Sequence, residues 1–162
     1  MSWDEEIEAK LGPVFSHEGG HALMALIQSV PCEGIYFERE SERFCALFPP
    51  SAGGRTEVDY LVSAAGVAAE LLNCPDRNSV GDGADRAEFD FPSAPSFDEA
   101  VEEACVILSR NRETLDHLVL ILWAKVRSVD FDLGQLQEKR IGEMRYRVLL
   151  SQEELEAVVR PK

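Results

Sequence analysis

The stretch Val14-Phe15-Ser16-His17-Glu18-Gly19-Gly20-His21-Ala22-Leu23-Met24-Ala25-Leu26-Ile27 constrains the fold more than any other part of this chain. As a helix it is apolar around most of its surface, which is the pattern of a central helix packed on several sides. Yet His17, Glu18 and His21 stand in the middle of it. Histidines at i and i+4 project from one helix face. Their ring nitrogens can then meet at one divalent ion, at about 2.0–2.1 Å per bond for zinc. Glu18 adjoins the first histidine, and its carboxylate can reach a water on such an ion. Two ligands, an activated water and a general base are the parts of a hydrolytic zinc site. The competing reading is a helix that spells the motif by chance, with solvated histidines and no metal.

The residues around the motif extend this reading. Pro13 is expected in the first turn of the helix, where its missing N–H has no helical partner, and Pro31 ends the pattern. Gly19 and Gly20 each cost a helix roughly 1 kcal/mol against alanine. Close approach of another backbone, or of substrate, would explain that cost.

Length and charge set bounds on the rest. With 162 residues, 45% hydrophobic and 28% charged, the composition is that of one soluble globular domain over 1–162. No apolar run is long enough to span a bilayer, and the first residues (Met1-Ser2-Trp3-Asp4-Glu5-Glu6) are acidic rather than basic and apolar. Neither a membrane span nor a secretory leader is expected, and a cytoplasmic location is. Cys32, Cys45, Cys74 and Cys105 are widely spaced, with no CxxC pair. They read as free buried thiols in a reducing compartment rather than as metal ligands. A net charge of −14, with Lys and Arg interleaved among acids, argues against a nucleic-acid partner.

Along the chain, Gly34-Ile35-Tyr36-Phe37 and Phe44-Cys45-Ala46-Leu47-Phe48 read as two strands joined by the charged tip 38–43. Pro49 to Gly54 is a loop by composition. Thr56 to Leu72 reads as a second helix, with Thr56 as N-cap and small residues from Ala64 to Ala69 for close packing. Phe97 to Val129 carries helical periodicity in two pieces broken near Ser109-Arg110-Asn111, with Asn111 placed to cap the second. Arg145 to Leu150 reads as extended, and Ser151-Gln152-Glu153-Glu154 as a capping box opening a last helix. The sum is an α+β fold: mostly helical, with a small sheet or hairpin and a zincin-like HExxH helix. The metal site falls within 13–90 and a helical support region within 96–162.

A catalytic zinc usually has three protein ligands. The third here is open among Glu70 on the second helix, Asp82 or Asp85 in the glycine-containing stretch Gly81-Asp82-Gly83-Ala84-Asp85, and His117 in a helical stretch. Spacing does not choose between Glu70 and Asp85.

A resemblance does choose. His17-Glu18-Gly19-Gly20-His21-Ala22 is similar to the His-Glu-Ala-Gly-His-Ala of the FtsH family, the membrane-bound ATP-dependent zinc proteases (peptidase family M41). Ala65-Gly66-Val67-Ala68-Ala69-Glu70-Leu71 resembles that family's Gly-Gly-Arg-Ala-Ala-Glu helix. Ser79-Val80-Gly81-Asp82-Gly83-Ala84-Asp85 resembles its Thr-Thr-Gly segment, whose closing aspartate is the third zinc ligand. The resemblance spans roughly Pro13 to Ala87. It implies a zinc metallopeptidase domain with Zn²⁺ on His17, His21 and Asp85, Glu18 as catalytic base, and Glu70 as a supporting carboxylate. The family's arginine is Val67 here, and the chain has no phosphate-binding loop of the GxxxxGK[ST] type. Processive degradation of folded proteins is therefore not expected of this chain by itself, and a separate partner chain is one way it could be supplied. Peptides or unfolded protein are the implied substrate; the strand near Phe44 to Phe48 reads equally as an edge that holds an extended peptide or as part of an ordinary hairpin packed on the helices. A catalytically inactive peptidase scaffold acting in protein–protein interaction is the alternative. The apolar surface of 97–129 also allows for a homo-oligomer.

Overall fold

The computed structural model describes residues 3–48, 59–75, 85–87, 89–91 and 93–160. Its first helix, α1 (Trp3–Ile27), carries the motif through the centre of the core, with Phe15, Leu23, Met24 and Ala25 fully buried. Pro13 lies inside α1 rather than in its first turn. A proline removes one N–H from the helical ladder and favours a break. Leu11 and Val14 on either side of it pack against the core, however, and that burial carries the helix through. At the other end the chain closes on itself: Val30 N–H donates to the Ala25 carbonyl and Ser29 N–H to Leu26. With Ser29 at φ 58°, this is a Schellman closure in which serine holds the position glycine usually takes.

Helix α2 (Asp59–Asn73) lies directly on α1. A Cβ on Gly20 would come within 2.5 Å of the Ala65 carbonyl oxygen and the Ala69 methyl. Gly20, with Ala64, Ala65, Ala68 and Ala69 all fully buried, lets the two backbones approach this closely. Gly19 differs. A Cβ there would meet Leu118 at 3.6 Å and Leu115 at 3.8 Å, ordinary contact distances. Close approach therefore explains Gly20 and leaves Gly19 unexplained. The expected N-cap Thr56 and the loop from Pro49 to Gly54 lie outside the described residues.

The strands β1 (Gly34–Glu38) and β2 (Arg43–Leu47) form the expected hairpin, but they belong to a larger sheet. With β3 (Glu138–Ile141) and β4 (Met144–Ser151) they make a four-stranded antiparallel sheet in the order β2-β1-β4-β3. Thus β1 is central, paired on one side with its neighbour in sequence and on the other with a strand from the far end of the chain. Among the described residues β2 is at an edge.

Helices α3 (Phe97–Arg110) and α4 (Arg112–Ser128) divide where the sequence suggested. Asn111 does not cap α4 through its side chain; its amide instead donates to the Ile107 carbonyl and closes α3. The capping box at Ser151 and Glu154 opens α5 (Gln152–Val159) as expected. α4 lies beneath the motif, with Leu115 and Leu118 against Gly19 and the Trp123 ring edge-on to Phe15 at 5.0 Å. Phe15 meets Phe44 of β2 in the same way at 5.2 Å, so one residue of α1 joins the helical support to the edge strand. No helix among the described residues is long and apolar enough to cross a membrane. All four cysteines are free, but only Cys32 is fully buried, so the expectation of four buried thiols holds for one.

Candidate metal centre

One turn of α1 brings His17 and His21 together with their rings nearly perpendicular and their Nε2 atoms 3.0 Å apart. Asp85 Oδ2 completes a triangle, 3.0 Å from His17 Nε2 and 3.3 Å from His21 Nε2. The other ring nitrogens are already committed. His21 Nδ1 lies 2.6 Å from the Val62 carbonyl oxygen, which can only accept, so Nδ1 carries the proton. His17 Nδ1 lies 2.5 Å from Glu70 Oε1 in the same role. Both rings are thereby fixed in orientation and tautomer, with their Nε2 lone pairs aimed at one point. This is how partners behind a metal-binding histidine set it.

The neutral triangle is electrostatically incomplete. Asp85 Oδ2 is buried without a hydrogen-bond partner, and with both rings neutral three lone pairs face one another. Buried acceptors need a donor or a cation. A proton is one answer. Burial acts to lower the His17 pKa, but Asp85 and Glu70 and the nearby charge of Glu18 together raise it from 6.5 to about 10. Burial likewise acts to raise the Asp85 pKa, and the two histidines overcome it and pull it well below the usual carboxylate value. A metal ion is the other answer. Donors about 2.0–2.1 Å from a tetrahedral zinc lie about 3.3–3.4 Å from one another, and the observed edges of 3.0–3.3 Å fall at or a little inside that spacing. Nitrogen, nitrogen and carboxylate oxygen are donors that zinc accepts. Among the described residues, this is the group of His, Cys, Asp or Glu side chains placed to hold an ion.

Glu18 stands off the triangle. Its Oε2 accepts the Ala46 N–H of β2 at 2.8 Å, and its charge contributes to the rise in the His17 pKa. The acidic surroundings, after burial itself, also push the Cys45 thiol up to about 12, with contributions from Glu18 and Glu38. Cys45 is no part of the donor triangle.

Of the four third-ligand candidates, Asp85 reaches both histidines, whereas Glu70 reaches only the far nitrogen of His17. His117 is exposed on α4 and no part of the triangle. Asp82 lies outside the described residues. Several groups that shape the site left no mark in the sequence reading. The Val62 carbonyl and the Ala46 N–H are backbone atoms, which no residue type announces. Gly66 stands in the sequence merely within a run of small residues, yet a Cβ there would collide with the Nε2 atoms of both histidines. Arg86, beside Asp85, pairs with Asp98 at 2.8 Å and lies over the Phe97 ring, tying the ligand segment to the start of α3.

No protein-family model, curated protein or solved structure matches this chain. The residues themselves carry the functional argument.

Proposed function

We propose that this chain is a zinc-dependent peptidase, of the kind implied by its resemblance to the FtsH peptidase domain, acting on peptides or flexible segments of unfolded protein. The observation that carries the reading is the donor triangle of His17, His21 and Asp85, each histidine oriented from behind by Glu70 or Val62. Zinc held there would act as a Lewis acid, lowering the pKa of water from ~15.7 toward ~7 and polarising a carbonyl. Glu18 is the group available to take a proton from that water and return it to the leaving amine. The outer edge of β2 runs past Glu18, and an extended peptide can add to it as a further strand.

A second reading is a scaffold that keeps the metal and has lost hydrolysis. It is favoured by the engagement of Glu18 with Ala46 rather than with the triangle. One experiment separates the two: zinc stoichiometry alongside cleavage of unfolded casein, for wild type, Glu18→Gln and His21→Ala. The peptidase reading expects Glu18→Gln to keep zinc and lose cleavage, and His21→Ala to lose both. Zinc without cleavage in the wild type leaves the scaffold, and a wild type without stoichiometric zinc removes both.

A further inference from the structure

The hydrogen bond between Glu18 and Ala46 gives this carboxylate a second occupation. Ala46 sits opposite Ile35 in the β1–β2 register, but its N–H is turned away from β1, off what is the outer edge of the sheet among the described residues, where Glu18 Oε2 takes it at 2.8 Å. An N–H on an open strand edge is the donor that an added antiparallel strand uses, giving its proton to a carbonyl of the incoming chain. One N–H cannot serve a carboxylate and a carbonyl at full strength together.

We propose that Glu18 and an incoming extended chain compete for the Ala46 N–H, so that Ala46 is a positioning residue which holds the base on the strand edge until substrate displaces it. The proposal rests on the peptidase reading for its purpose, though not for its test. With the edge empty, Glu18 is parked on β2. When a substrate carbonyl takes the N–H, the carboxylate loses its partner and is free to turn toward the water it must deprotonate. Proton transfer is thereby tied to a correctly registered backbone, and a short or folded ligand that fails to lie along β2 leaves the base parked. The charge of Glu18 makes the parked state strong, because hydrogen bonds to ionised acceptors exceed neutral ones. The competition must therefore cost substrate affinity.

That cost has an unusual sign. Removing Glu18 should strengthen binding of an extended chain, by roughly tenfold on the scale of one charge-assisted hydrogen bond. The test measures the affinity of fluorescently labelled unfolded casein for the full chain, stripped of metal so that the wild type cannot cut. Wild type, Glu18→Ala, Ala46→Pro and the double variant are compared. Proline is tolerated where the strand N–H points off the edge, and it deletes the contested donor. Glu18→Ala should bind casein about tenfold tighter than wild type and gain nothing in the Ala46→Pro background. Equal affinity of wild type and Glu18→Ala overturns the proposal. A gain that persists with Ala46→Pro also overturns it, since the cause is then the charge of Glu18 on an acidic ligand. Should Ala46→Pro fail to fold, hydrogen exchange at the Ala46 amide decides. It must quicken in Glu18→Ala and slow again when casein is added, and an unchanged rate refutes the competition. Absence of zinc or cleavage in the wild type would remove the peptidase reading without touching any of these outcomes.

Discussion

Glu70 Oε1 lies 2.5 Å from His17 Nδ1, on the opposite edge of the ring from His21 and Asp85. This one relationship decides the part each carboxylate plays. Glu70 is almost wholly buried on α2; its charge is tolerated because it is spent on the imidazole N–H, and the orientation it imposes turns Nε2 toward the triangle. Substituting Glu70 should therefore weaken zinc binding without deleting a ligand. Glu70→Ala is expected to lose tenfold to a hundredfold in zinc affinity, the range for partners behind a ligating histidine. Glu70→Gln, which still accepts the N–H, should lose less. Competition against a chromophoric chelator measures both, and an affinity unchanged in Glu70→Ala would remove Glu70 from the centre.

The two glycines that border the site should respond in opposite ways to a single methyl group. Gly66→Ala places a Cβ against the Nε2 atoms of His17 and His21, the donors of the proposed site, so zinc stoichiometry should fall to near zero. Gly19→Ala places its methyl at ordinary distance from Leu118 and Leu115. It should keep zinc and raise stability by roughly 0.5–1 kcal/mol, the gain of alanine over glycine within a helix. Thermal melts with and without zinc check both. Loss of stability in Gly19→Ala would show that the glycine is needed for a reason its surroundings do not reveal.

How far the sequence foretells this protein depends on whether a feature is local. The i, i+4 histidines, the apolar run around them, the β1–β2 hairpin, the break at Asn111 and the capping box at Ser151 all rest on neighbours within a few residues, and each is legible. The pairing of β1 with β4 is not, because Ile35 and Leu150 are separated by most of the chain. β3 escaped notice because its residues Glu138, Lys139, Arg140 and Ile141 are exposed throughout and show no apolar alternation. Pro13 misled because its local preference was outweighed by tertiary burial. At the site, periodicity supplied two histidines and a base, but the choice of Asp85 over Glu70 came from resemblance. The physical reason for it, that Glu70 faces the wrong ring nitrogen, exists only in three dimensions.

His117 provides the control for the whole assignment. It is exposed on α4, away from the triangle, so His117→Ala should leave zinc content and any hydrolysis unchanged within about twofold, where a true ligand or its partner would cost tenfold or more. Loss of metal in this variant, with the circular dichroism of the wild type, would move the site out of the first half of the chain.

The protonation of the triangle makes a prediction about pH. In metal-free protein the raised His17 pKa means that its proton stabilises the fold. That contribution is complete below about pH 6.5, the unfolded value, and is lost as pH rises toward about 10. Asp85 works in the other direction. Its pKa is depressed from 3.8, so its contribution is present above that value and lost only as pH falls through the lower folded one. The metal-free site is thus most stabilising between about pH 4 and 6.5, and its contribution to the melting temperature should decline from there toward pH 10. His17→Ala should flatten this decline. Zinc must take the Nε2 lone pair that the proton occupies, so binding at pH 7 should release a proton from His17 and tighten as pH rises across this window. Calorimetry in buffers of different ionisation enthalpy reads the release directly. A zinc-binding heat independent of buffer would mean that His17 is already neutral in the metal-free protein, and that the triangle closes without the proton its geometry calls for.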